Sequence, residues 1–357
     1  MRGGAKPWKL GRRTALNSQV ADLKAFSKMP PRVSVLMTLY NKATYVEEAV
    51  KSVLASSYSD LELLVLDDAS TDHGTDLVRA ISDPRIRLVE SATNLGRARN
   101  ANRGFAESKG EYVAILDADD TMHADRLAKQ VAYMDAHPHL SACGTAAQLI
   151  GKRDRVVAWP TRDEEARGLM LFEDPLLYGS AMFRRSIIVT HGLQCPEDWR
   201  GPGMDYLFLL RVAAVAEVAN LPEALTNYRI GANNYRHGRN GLADAERIAT
   251  EALRFFGLKA NPHELRSHLV LLRRLGPPET VAEVRSLNAW VARLLAFNRE
   301  ALAFPTAVFE SRLRAELDHI FCLLADRDPR LARKHARLSG GWNLGRLRYY
   351  LATCWRA

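Results

Sequence analysis

The feature that most constrains this chain is a short apolar run that ends in a cluster of carboxylates. Val113–Leu116 is a run of strand-forming residues typical of a buried parallel strand, and Asp117, Asp119 and Asp120 follow it directly. Adjacent like charges repel, and carboxylates are seldom buried without a partner. The pattern therefore indicates a cation, and oxygen ligands favour Mg2+ or Mn2+ bridged to a substrate phosphate. A solvated loop in which Asp119 or Asp120 caps the next helix is the alternative.

Two earlier strand ends carry polar side chains as well. The predicted strand 33–37 leads into Thr38 and Tyr40, and the predicted strand 61–66 leads into Asp68. Because helical segments separate the strands, the sequence predicts a doubly wound, mostly parallel α/β sheet whose strand ends share one edge. Asp68 could accept an N–H from uracil or guanine, and Tyr40 could stack on the base. Capping of a turn by Asp68 and burial of Tyr40 in the core are the alternatives.

The usual backbone cradles for phosphate are absent from the sequence. No Gly-x-Gly-x-x-Gly follows a predicted strand, and there is no Gly-Lys-Ser/Thr loop. A metal ion is therefore the natural anchor for a bound diphosphate. The same absence counts against a nucleotidyltransferase, an alternative that normally has a Gly-rich loop and a lysine near the first strand. Lys42 is the only near candidate for that lysine.

The charge is concentrated at the two ends of the 357-residue chain. Of a net charge of +9, residues 1–32 and 330–357 contribute +7 each, so the body between them is acidic. Basic ends suit an anionic membrane surface or another polyanion, and solvated tails are the alternative. No apolar run could span a membrane, and the four scattered cysteines fit a reducing cytosol. A second alternative is therefore a protein that has no catalytic activity and binds polyanions through its basic ends.

Residues 33–120 resemble the nucleotide-sugar-binding half of a family 2 glycosyltransferase with the GT-A fold, and a weaker resemblance reaches about residue 236. The matching pieces are Val33–Asn41, Leu64–Asp72 with Gly74-Thr75, Asn94-Leu95-Gly96 with Asn102-Arg103-Gly104, and Lys109–Asp120. Their combination in this order is specific, although each piece alone is not. The resemblance implies an inverting sugar transfer from a nucleotide sugar, with a UDP-sugar as the favoured donor and Mn2+ or Mg2+ as the cofactor.

The resemblance also implies roles for individual side chains in the donor site. Those implied to bind the nucleotide sugar are Thr38, Tyr40, Asp68, Asn102 and Asp117. Thr38, Tyr40 and Asp68 would hold the nucleoside. Asn102 would help to frame its pocket, and Asp117 would face the ribose. Arg236 is a further candidate to bind the nucleotide sugar, because its loop could close over the diphosphate and the guanidinium could clamp it. Asp119 would ligate the metal ion, and Asp120 matches the family as well and could share that ligation.

A candidate catalytic base follows much later in the chain. Gly201–Asp205 leads into an apolar helix predicted at Tyr206–Val215, and Asp205 matches the base of the family. An inverting transfer needs one carboxylate to take the proton of the acceptor hydroxyl as its oxygen attacks the anomeric carbon. An N-cap role on the helix is the alternative for Asp205. Two positions depart from the family: Met204 replaces a frequent glutamate, and Gly231 replaces a histidine that is sometimes a metal ligand.

Three regions are predicted along the chain. They are a basic N-terminal arm (1–31), a GT-A domain (32–240) with a nucleotide-sugar half (32–120) and an acceptor half (121–240), and a helical extension with a basic, aromatic tail (241–357). The extension is expected to be helical because its apolar residues recur at three- and four-residue spacing. Its tail suits a segment that lies on a membrane, and a helix docked on the protein's own core is the alternative.

The expected function is therefore that of a hexosyl- or N-acetylhexosaminyl-transferase in surface polysaccharide or glycolipid biosynthesis. The acceptor would be a glycan or a lipid-linked molecule, and no nucleic acid partner is expected. The expected location is the cytoplasm, peripherally at the inner face of the cell membrane. This class of function comes from the resemblance, because composition alone indicates only a soluble α/β protein.

Overall fold

The computed structural model describes residues 30–231 and 241–354. They form an α/β domain built on a nine-stranded sheet, followed by a helical extension. The predicted α/β class with a C-terminal helical extension is therefore confirmed. Most of the basic arm, Arg236 and the last three residues lie outside the described residues. Among the described residues, no helix is long and apolar enough to cross a membrane.

The first half of the domain is a parallel sheet with the strand order β3-β2-β1-β4. Its elements are β1 (Val33–Leu39), α1 (Val46–Leu54), β2 (Leu61–Asp67), α2 (Gly74–Arg79), β3 (Ile86–Glu90), α3 (Arg97–Glu107) and β4 (Tyr112–Ile115). Strands β1, β2 and β4 are almost entirely buried, because helices cover both faces of the sheet. Since these strands run parallel, their polar carboxyl ends meet at one edge.

The second half of the domain extends the sheet beyond β4 with mixed pairing. Its strands are β5 (Thr121–Met122), β6 (Leu140–Gly151), β7 (Arg155–Val157), β8 (Met182–Arg184) and β9 (Glu217–Ile230). Strand β8 lies antiparallel between β4 and β6, and β6 pairs in parallel with β9. The helices are α4 (Arg126–Ala136), α5 (Asp163–Leu169), α6 (Arg185–Thr190) and α7 (Met204–Val215), with a 3-10 turn at Tyr178–Ser180.

The helical extension packs directly on this domain. Its helices are α8 (Gly241–Phe255), α9 (Pro262–Leu271), α10 (Val281–Ala301), α11 (Thr306–Arg327), α12 (Pro329–Leu338) and α13 (Leu344–Cys354). Helix α9 starts with a capping box, in which the Asn261 side chain accepts from the backbone N–H of Glu264 and the Glu264 side chain accepts from that of Asn261. Helix α11 contacts α5 of the domain.

The apolar core lies on both faces of the sheet. Helices α1 and α4 cover one face, where buried residues include Val50 and Val131. On the other face, α3, α5 and α7 share one continuous cluster with the extension, from Phe105 and Phe208 to Trp290 and Phe321. The extension therefore buries apolar surface that the domain would otherwise expose. Burial of this kind stabilises by roughly 25 cal/mol for each Å2 of apolar surface removed from water.

Candidate active site

The three carboxylates after β4 lie in a tight loop at the sheet edge, here called the acidic edge (Asp117, Asp119 and Asp120). The loop closes on itself, since the backbone N–H of Asp120 donates to the carbonyl oxygen of Asp117 at 3.0 Å. Gly179 of the 3-10 turn packs against it. A Cβ at Gly179 would lie 3.2 Å from Oδ2 of Asp117 and 3.6 Å from Oδ2 of Asp120. A larger residue would push the turn away from the carboxylates.

A buried arginine supports the acidic edge from within the core. The guanidinium of Arg126, at the start of α4, donates to the carbonyl oxygens of Ile115 at 2.8 Å, Gly179 at 3.3 Å and Ala181 at 3.4 Å. Its Nε donates to Gln130 Oε1 at 3.0 Å. Burial lowers the pKa of Arg126 to about 10, so the group remains charged at neutral pH. It therefore fixes β4 and the 3-10 turn together beneath the carboxylates.

Charged groups that are far apart in the sequence act on Asp117. Removal from water, together with the charges of Asp119 and Asp205, raises the pKa of Asp117 to about 6, while Arg97 and Lys42 oppose the shift. These interactions require that the groups lie near one another. The acidic edge and Asp205, separated by more than eighty residues in the sequence, are therefore brought into one region. Their roles in catalysis stay a prediction.

The other two carboxylates of the acidic edge are held from both sides. Lys42 Nζ, in the turn after β1, lies 2.5 Å from Asp119 Oδ2. On the opposite side, the backbone N–H of Arg229 donates to Asp120 Oδ1 at 2.7 Å, and its Nε donates to the carbonyl oxygen of Asp119 at 2.8 Å. Burial raises the pKa of Asp120 well above its usual range. Its Oδ2 is buried and has no hydrogen-bond partner among the described residues.

The donor set at the acidic edge fits a metal ion that is shared with a substrate. Within the described residues, no group of three His, Cys, Asp or Glu side chains is placed to hold a metal ion alone. Mg2+ and Mn2+ are commonly bound through one or two carboxylates, with phosphate oxygens and water as the other ligands. Asp119 is partly exposed, whereas Asp120 is only 1% exposed and bonded to β9. Asp119 is therefore the better candidate for the ligand.

The residues predicted to bind the nucleoside lie at the same sheet edge. Thr38 lines a small hollow with Asp117, and Tyr40 is 46% exposed beside it along the chain. Asp68 is buried, and its two oxygens accept from the backbone N–H groups of Leu95 at 2.7 Å and Gly96 at 3.0 Å. Asp68 thus ties the end of β2 to the loop before α3. Contact of these residues with a base stays a prediction.

Asn102 has partners that the sequence did not indicate. Its amide nitrogen donates to the carbonyl oxygen of Cys195 at 3.0 Å and to Glu197 Oε1 at 3.1 Å. Its oxygen accepts from the backbone N–H of Cys195 at 2.7 Å. Asn102 therefore fixes the loop that leads to Asp205. Any effect of Asn102 on the nucleotide pocket acts through this loop. Arg236, which was predicted to clamp the diphosphate, lies outside the described residues.

Asp205 lies in the first turn of α7, beside a cavity of about 250 Å3. The N-cap of that helix is Gly203, which has a φ of +94°, so Asp205 does not cap it. A Cβ at Gly203 would lie 2.5 Å from Cγ1 of Ile248, which together with the positive φ explains the glycine. The other residues that line the cavity are Leu149, Val157, Trp159, Asp174, Leu177, Tyr178, Leu209 and Tyr228.

Arg97 and Tyr178 join the two sides of the candidate site. Tyr178 lines both the hollow beside Asp117 and the cavity beside Asp205. Burial lowers the pKa of Arg97, but the charges of Asp205 and Asp117 outweigh this effect and raise that pKa above its usual value. The only sequence signal for Arg97 is its place directly after the Asn-Leu-Gly turn. No local pattern marks Arg126 or Arg97 as a site residue, because each depends on partners that are distant in the sequence.

Comparison with known proteins agrees with this arrangement. Residues 34–188 match the family model described as glycosyl transferase family 2. This part of the chain is therefore similar to glycosyltransferase family 2. The matched part runs from β1 into α6, so it includes the acidic edge and ends before Asp205. The assignment of Asp205 therefore depends on the geometry of the second half of the domain.

Several relatives of this chain carry related names. An uncharacterized glycosyltransferase of Haemophilus influenzae is 29% identical over 243 residues, which cover 63% of this chain and 74% of the relative. The putative glycosyltransferase EpsE of Bacillus subtilis is 32% identical over 163 residues, which cover 45% of this chain and 59% of EpsE. The succinoglycan biosynthesis protein ExoO of Rhizobium meliloti is 38% identical over 106 residues, covering 30% of each chain. The match thus spans less than two thirds of EpsE and ExoO.

A solved structure confirms the predicted GT-A fold. Residues 1–349 of TarS from Staphylococcus aureus, crystallised in complex with UDP-GlcNAc, align over 90% of each chain with a TM-score of 0.53 and 16% identity. The alignment covers the α/β domain and much of the helical extension. At this level of identity the likeness concerns the fold alone.

Proposed function

We propose that this protein is an inverting glycosyltransferase that moves a sugar from a nucleoside-diphosphate sugar to an acceptor hydroxyl. The observation that carries the proposal is the position of Asp205. This carboxylate is close enough to Asp117 to raise its pKa, and it also lines a separate cavity. A base at that junction could reach an acceptor in the cavity while the donor lies over the acidic edge.

The donor site would use the sheet edge. Thr38, Tyr40 and Asp68 lie at the ends of β1 and β2, where a nucleoside would bind in an open α/β sheet. Asp117 would face the ribose, and Asp119 would hold Mn2+ or Mg2+ together with the diphosphate. The ion would stabilise the negative charge on the leaving diphosphate. TarS, which shares the fold, was crystallised with UDP-GlcNAc, and a UDP-sugar that donates a hexosyl or N-acetylhexosaminyl group is the donor we propose here.

The acceptor site would be the cavity beside Asp205. The volume of this cavity, about 250 Å3, suits a single sugar ring. It lies slightly below the ~300 Å3 at which small-molecule pockets usually begin. Trp159 and Tyr228 offer aromatic surface, and Asp174 and Asp205 offer acceptors for hydroxyl groups. A glycan or the head of a lipid-linked glycan fits this chemistry. The names of ExoO and of the putative teichuronic acid biosynthesis glycosyltransferase TuaG, 39% identical over 106 residues, support a role in polysaccharide biosynthesis. The reaction we propose belongs to surface polysaccharide or glycolipid biosynthesis and would take place in the cytoplasm at the membrane's inner face.

The chain's own residues suffice for a single displacement. The acceptor oxygen attacks the anomeric carbon from the face opposite the diphosphate, and Asp205 takes the hydroxyl proton as the new C–O bond forms. The bond to the diphosphate breaks, and its electron pair leaves with the diphosphate. Arg97 lies near Asp205 and Asp117 and favours the ionised form of Asp117. No covalent sugar–enzyme intermediate is required.

Nucleotide binding tests the donor half of the proposal. UDP, GDP, CDP and dTDP are each titrated by calorimetry with and without Mn2+, and one of them, expected to be UDP, should bind in a metal-dependent way. Asp119→Ala should abolish the metal dependence, because it removes the proposed ligand. Asp198→Ala, at an exposed position, is the matched control. Metal-independent binding that survives in Asp119→Ala would contradict the donor site, and salt-sensitive binding of nucleic acid instead would favour a polyanion-binding protein.

Donor hydrolysis tests the catalytic half, because water can replace an unidentified acceptor. Asp205→Asn should lower the rate of nucleotide release from the donor by about 10²-fold to 10⁴-fold, the usual contribution of a general base. Nucleotide affinity should stay close to that of the parent protein, since Asp205 lies on the acceptor side. Loss of affinity with an unchanged turnover rate would refute the role of base.

A further inference from the structure

The outer side of α12 is basic. Arg330, Arg333 and Arg337 recur at three- and four-residue spacing and are exposed, whereas Leu331 and His335 are buried against the protein. Within the described residues, none of the three arginines has an ion-pair partner. No Asp or Glu occurs in the sequence from residue 329 to the last residue. The charge of this face is therefore not neutralised within the described structure.

The outer side of α13 is apolar. Leu344, Leu347 and Leu351 recur at three- and four-residue spacing and are 74%, 43% and 54% exposed. The opposite side of the helix is anchored by Arg346, which is 5% exposed and donates to Asp318 Oδ1 at 2.5 Å and to the carbonyl oxygen of Gly341 at 2.9 Å. The three leucines therefore face solvent because the polar side of the helix is turned inward.

The two outer sides form one region, here called the C-terminal surface (Arg330, Arg333, Arg337, Leu338, Trp342, Leu344, Leu347, Arg348 and Leu351). Both α12 and α13 pack on α11, so the sides opposite these contacts face away from the protein. Trp342, between the two helices, packs on Phe321 and Tyr350 and is still 43% exposed. Of the fifteen large apolar side chains that are exposed among the described residues, seven lie between Leu323 and Leu351. Such a concentration marks an interaction surface.

We propose that the C-terminal surface binds the anionic face of a lipid bilayer, with α13 lying in the plane of the interface. A stripe of leucines enters the boundary between headgroups and acyl chains, and an interfacial Trp anchors it. The neighbouring arginines, including Arg348 beside the leucine stripe, meet the anionic headgroups. The association is peripheral and is independent of the proposed glycosyl transfer, although it would hold the enzyme near a lipid-linked acceptor.

Charge argues against the other possible occupants. A second copy of this chain would bring the same arginine face against itself, and like charges across an interface oppose association. A nucleic acid would match the arginines, but a leucine stripe adds nothing to phosphate contacts or base stacking. A bilayer with anionic lipid is complementary to both halves of the surface, because it offers an apolar layer below a negative one.

Vesicle sedimentation of the full-length protein tests the apolar half. The protein should bind vesicles of phosphatidylcholine mixed with phosphatidylglycerol and should not bind phosphatidylcholine alone. The triple variant Leu344→Ser, Leu347→Ser, Leu351→Ser should lower the partition coefficient by about tenfold or more, because each leucine contributes burial in the interface. A matched control, Val156→Ser, Val189→Ser, Leu302→Ser, removes three exposed apolar side chains elsewhere and should leave the coefficient unchanged.

Charge reversal tests the basic half. The triple variant Arg330→Glu, Arg333→Glu, Arg337→Glu should lower partition by roughly 100-fold, since each basic residue near an anionic surface is worth about 1 kcal/mol. The matched control in the extension is Arg274→Glu, Arg285→Glu, Arg299→Glu, at exposed positions. Unchanged partition in both test variants overturns the proposal, and so does loss in the arginine variant alone, which indicates a polyanion. A change in oligomeric mass with unchanged lipid binding assigns the surface to a second copy and overturns it as well.

Discussion

The acidic edge and the helical extension both bury ionisable side chains, but they do so in opposite ways. At the acidic edge three carboxylates crowd into one loop, and their burial, together with their proximity, raises the pKa of two of them. In the extension, His268, Glu316 and His335 lie apart from one another on separate helices. Crowding is costly to folding and is useful when a cation or a charged substrate is to be bound. Isolated buried groups instead act as packing elements.

Two of the buried groups of the extension, Glu316 and His335, each have partners of their own. Glu316 is 1% exposed and accepts two bonds from Arg273, at 3.0 and 3.1 Å, while Arg312 lies 3.3 Å away. His335 is held by Asn288 at 3.1 Å and by the carbonyl oxygen of Leu317 at 2.9 Å. Glu316 and His335 are therefore satisfied separately, whereas Nε2 of His268 has no hydrogen-bond partner among the described residues. Loss of one partner should therefore have a smaller effect here than at the acidic edge.

The largest expected effect is the removal of the arginine beneath the acidic edge. Arg126→Met removes one donor from each of three backbone carbonyls, of which that of Ala181 keeps the N–H of Ile115, and it removes a positive charge from below three carboxylates. We expect the free energy of unfolding to fall by about 3–5 kcal/mol, as for other buried charge networks that lose one partner. Urea denaturation followed by circular dichroism measures the change.

The matched variant in the extension is Arg273→Met. The guanidinium of Arg273 is 56% exposed, and Glu316 keeps Arg312 as a partner after the change. The expected loss is about 1 kcal/mol. Equal losses for the two arginines would show that the contrast between the crowded edge and the isolated groups is wrong.

The second prediction concerns pH and the buried histidines. Burial lowers the pKa of His268 and of His335 to about 4, below the ordinary value near 6.5. The folded protein therefore favours the neutral rings, and their contribution is fully present above pH 6.5 and is lost as the pH falls toward 4. For each ring, the free energy of unfolding should fall by about 2–3 kcal/mol between pH 7.5 and pH 4.5, because the unfolded chain binds the proton more readily. Denaturation curves at these two pH values measure the loss.

The variant His268→Met isolates one of these rings. It removes the titrating group from a fully buried position, so the difference in stability between the two pH values should shrink by about 2–3 kcal/mol. His263→Met, at an exposed position on the same helix, is the control and should leave the difference unchanged. Asp117 acts in the opposite direction, because a pKa raised to about 6 makes folding less favourable as the pH rises through that range. An unchanged difference in His268→Met would assign the acid response to other groups.

Local signals in the sequence were sufficient to predict the first half of the domain. In the sequence, buried strands such as β1 and β4 are nearly continuous apolar runs, and polar residues follow each run immediately. Parallel order then requires those ends to share an edge, so the acidic edge was predictable before any contact was known. The helical character of the extension was predictable from periodicity for the same reason. These features depend on residues that are neighbours in the chain.

Partners that are distant in the sequence were not predictable. An arginine at the start of an amphipathic helix, as Arg126 is, usually faces solvent. Only the fold shows that it lies under the carbonyls of β4 and the 3-10 turn. Asn102 was predicted to frame the nucleotide pocket, yet its amide binds Cys195, ninety-three residues later. The bonds of Arg229 to the acidic edge cross an even longer separation. Such contacts are set by topology, which a local pattern does not encode.

The smallest expected effect compares two helix glycines of the domain, one packed on the sheet and the other packed on the extension. A Cβ at Gly104, in α3, would lie 2.2 Å from Leu36 Cδ1 and 2.8 Å from Leu66 Cδ1, both on buried strands. A Cβ at Gly168, in α5, would lie 2.3 Å from Cγ1 of Val308, in the first turn of α11. Val308 is only partly buried, so it can move where the two leucines cannot.

We therefore expect Gly104→Ala to lower the free energy of unfolding by about 2 kcal/mol, as overpacking in a rigid core does. Gly168→Ala should lower it by about 1 kcal/mol or less, because the better helix propensity of alanine offsets part of the clash. Thermal unfolding ranks the two variants. Adding Val308→Ala to Gly168→Ala removes the clashing methyl groups and should restore the stability that the first change removed. A loss at Gly168 as large as that at Gly104, with no rescue by Val308→Ala, would mean that the extension is packed on the domain as rigidly as the sheet is packed on its own helices.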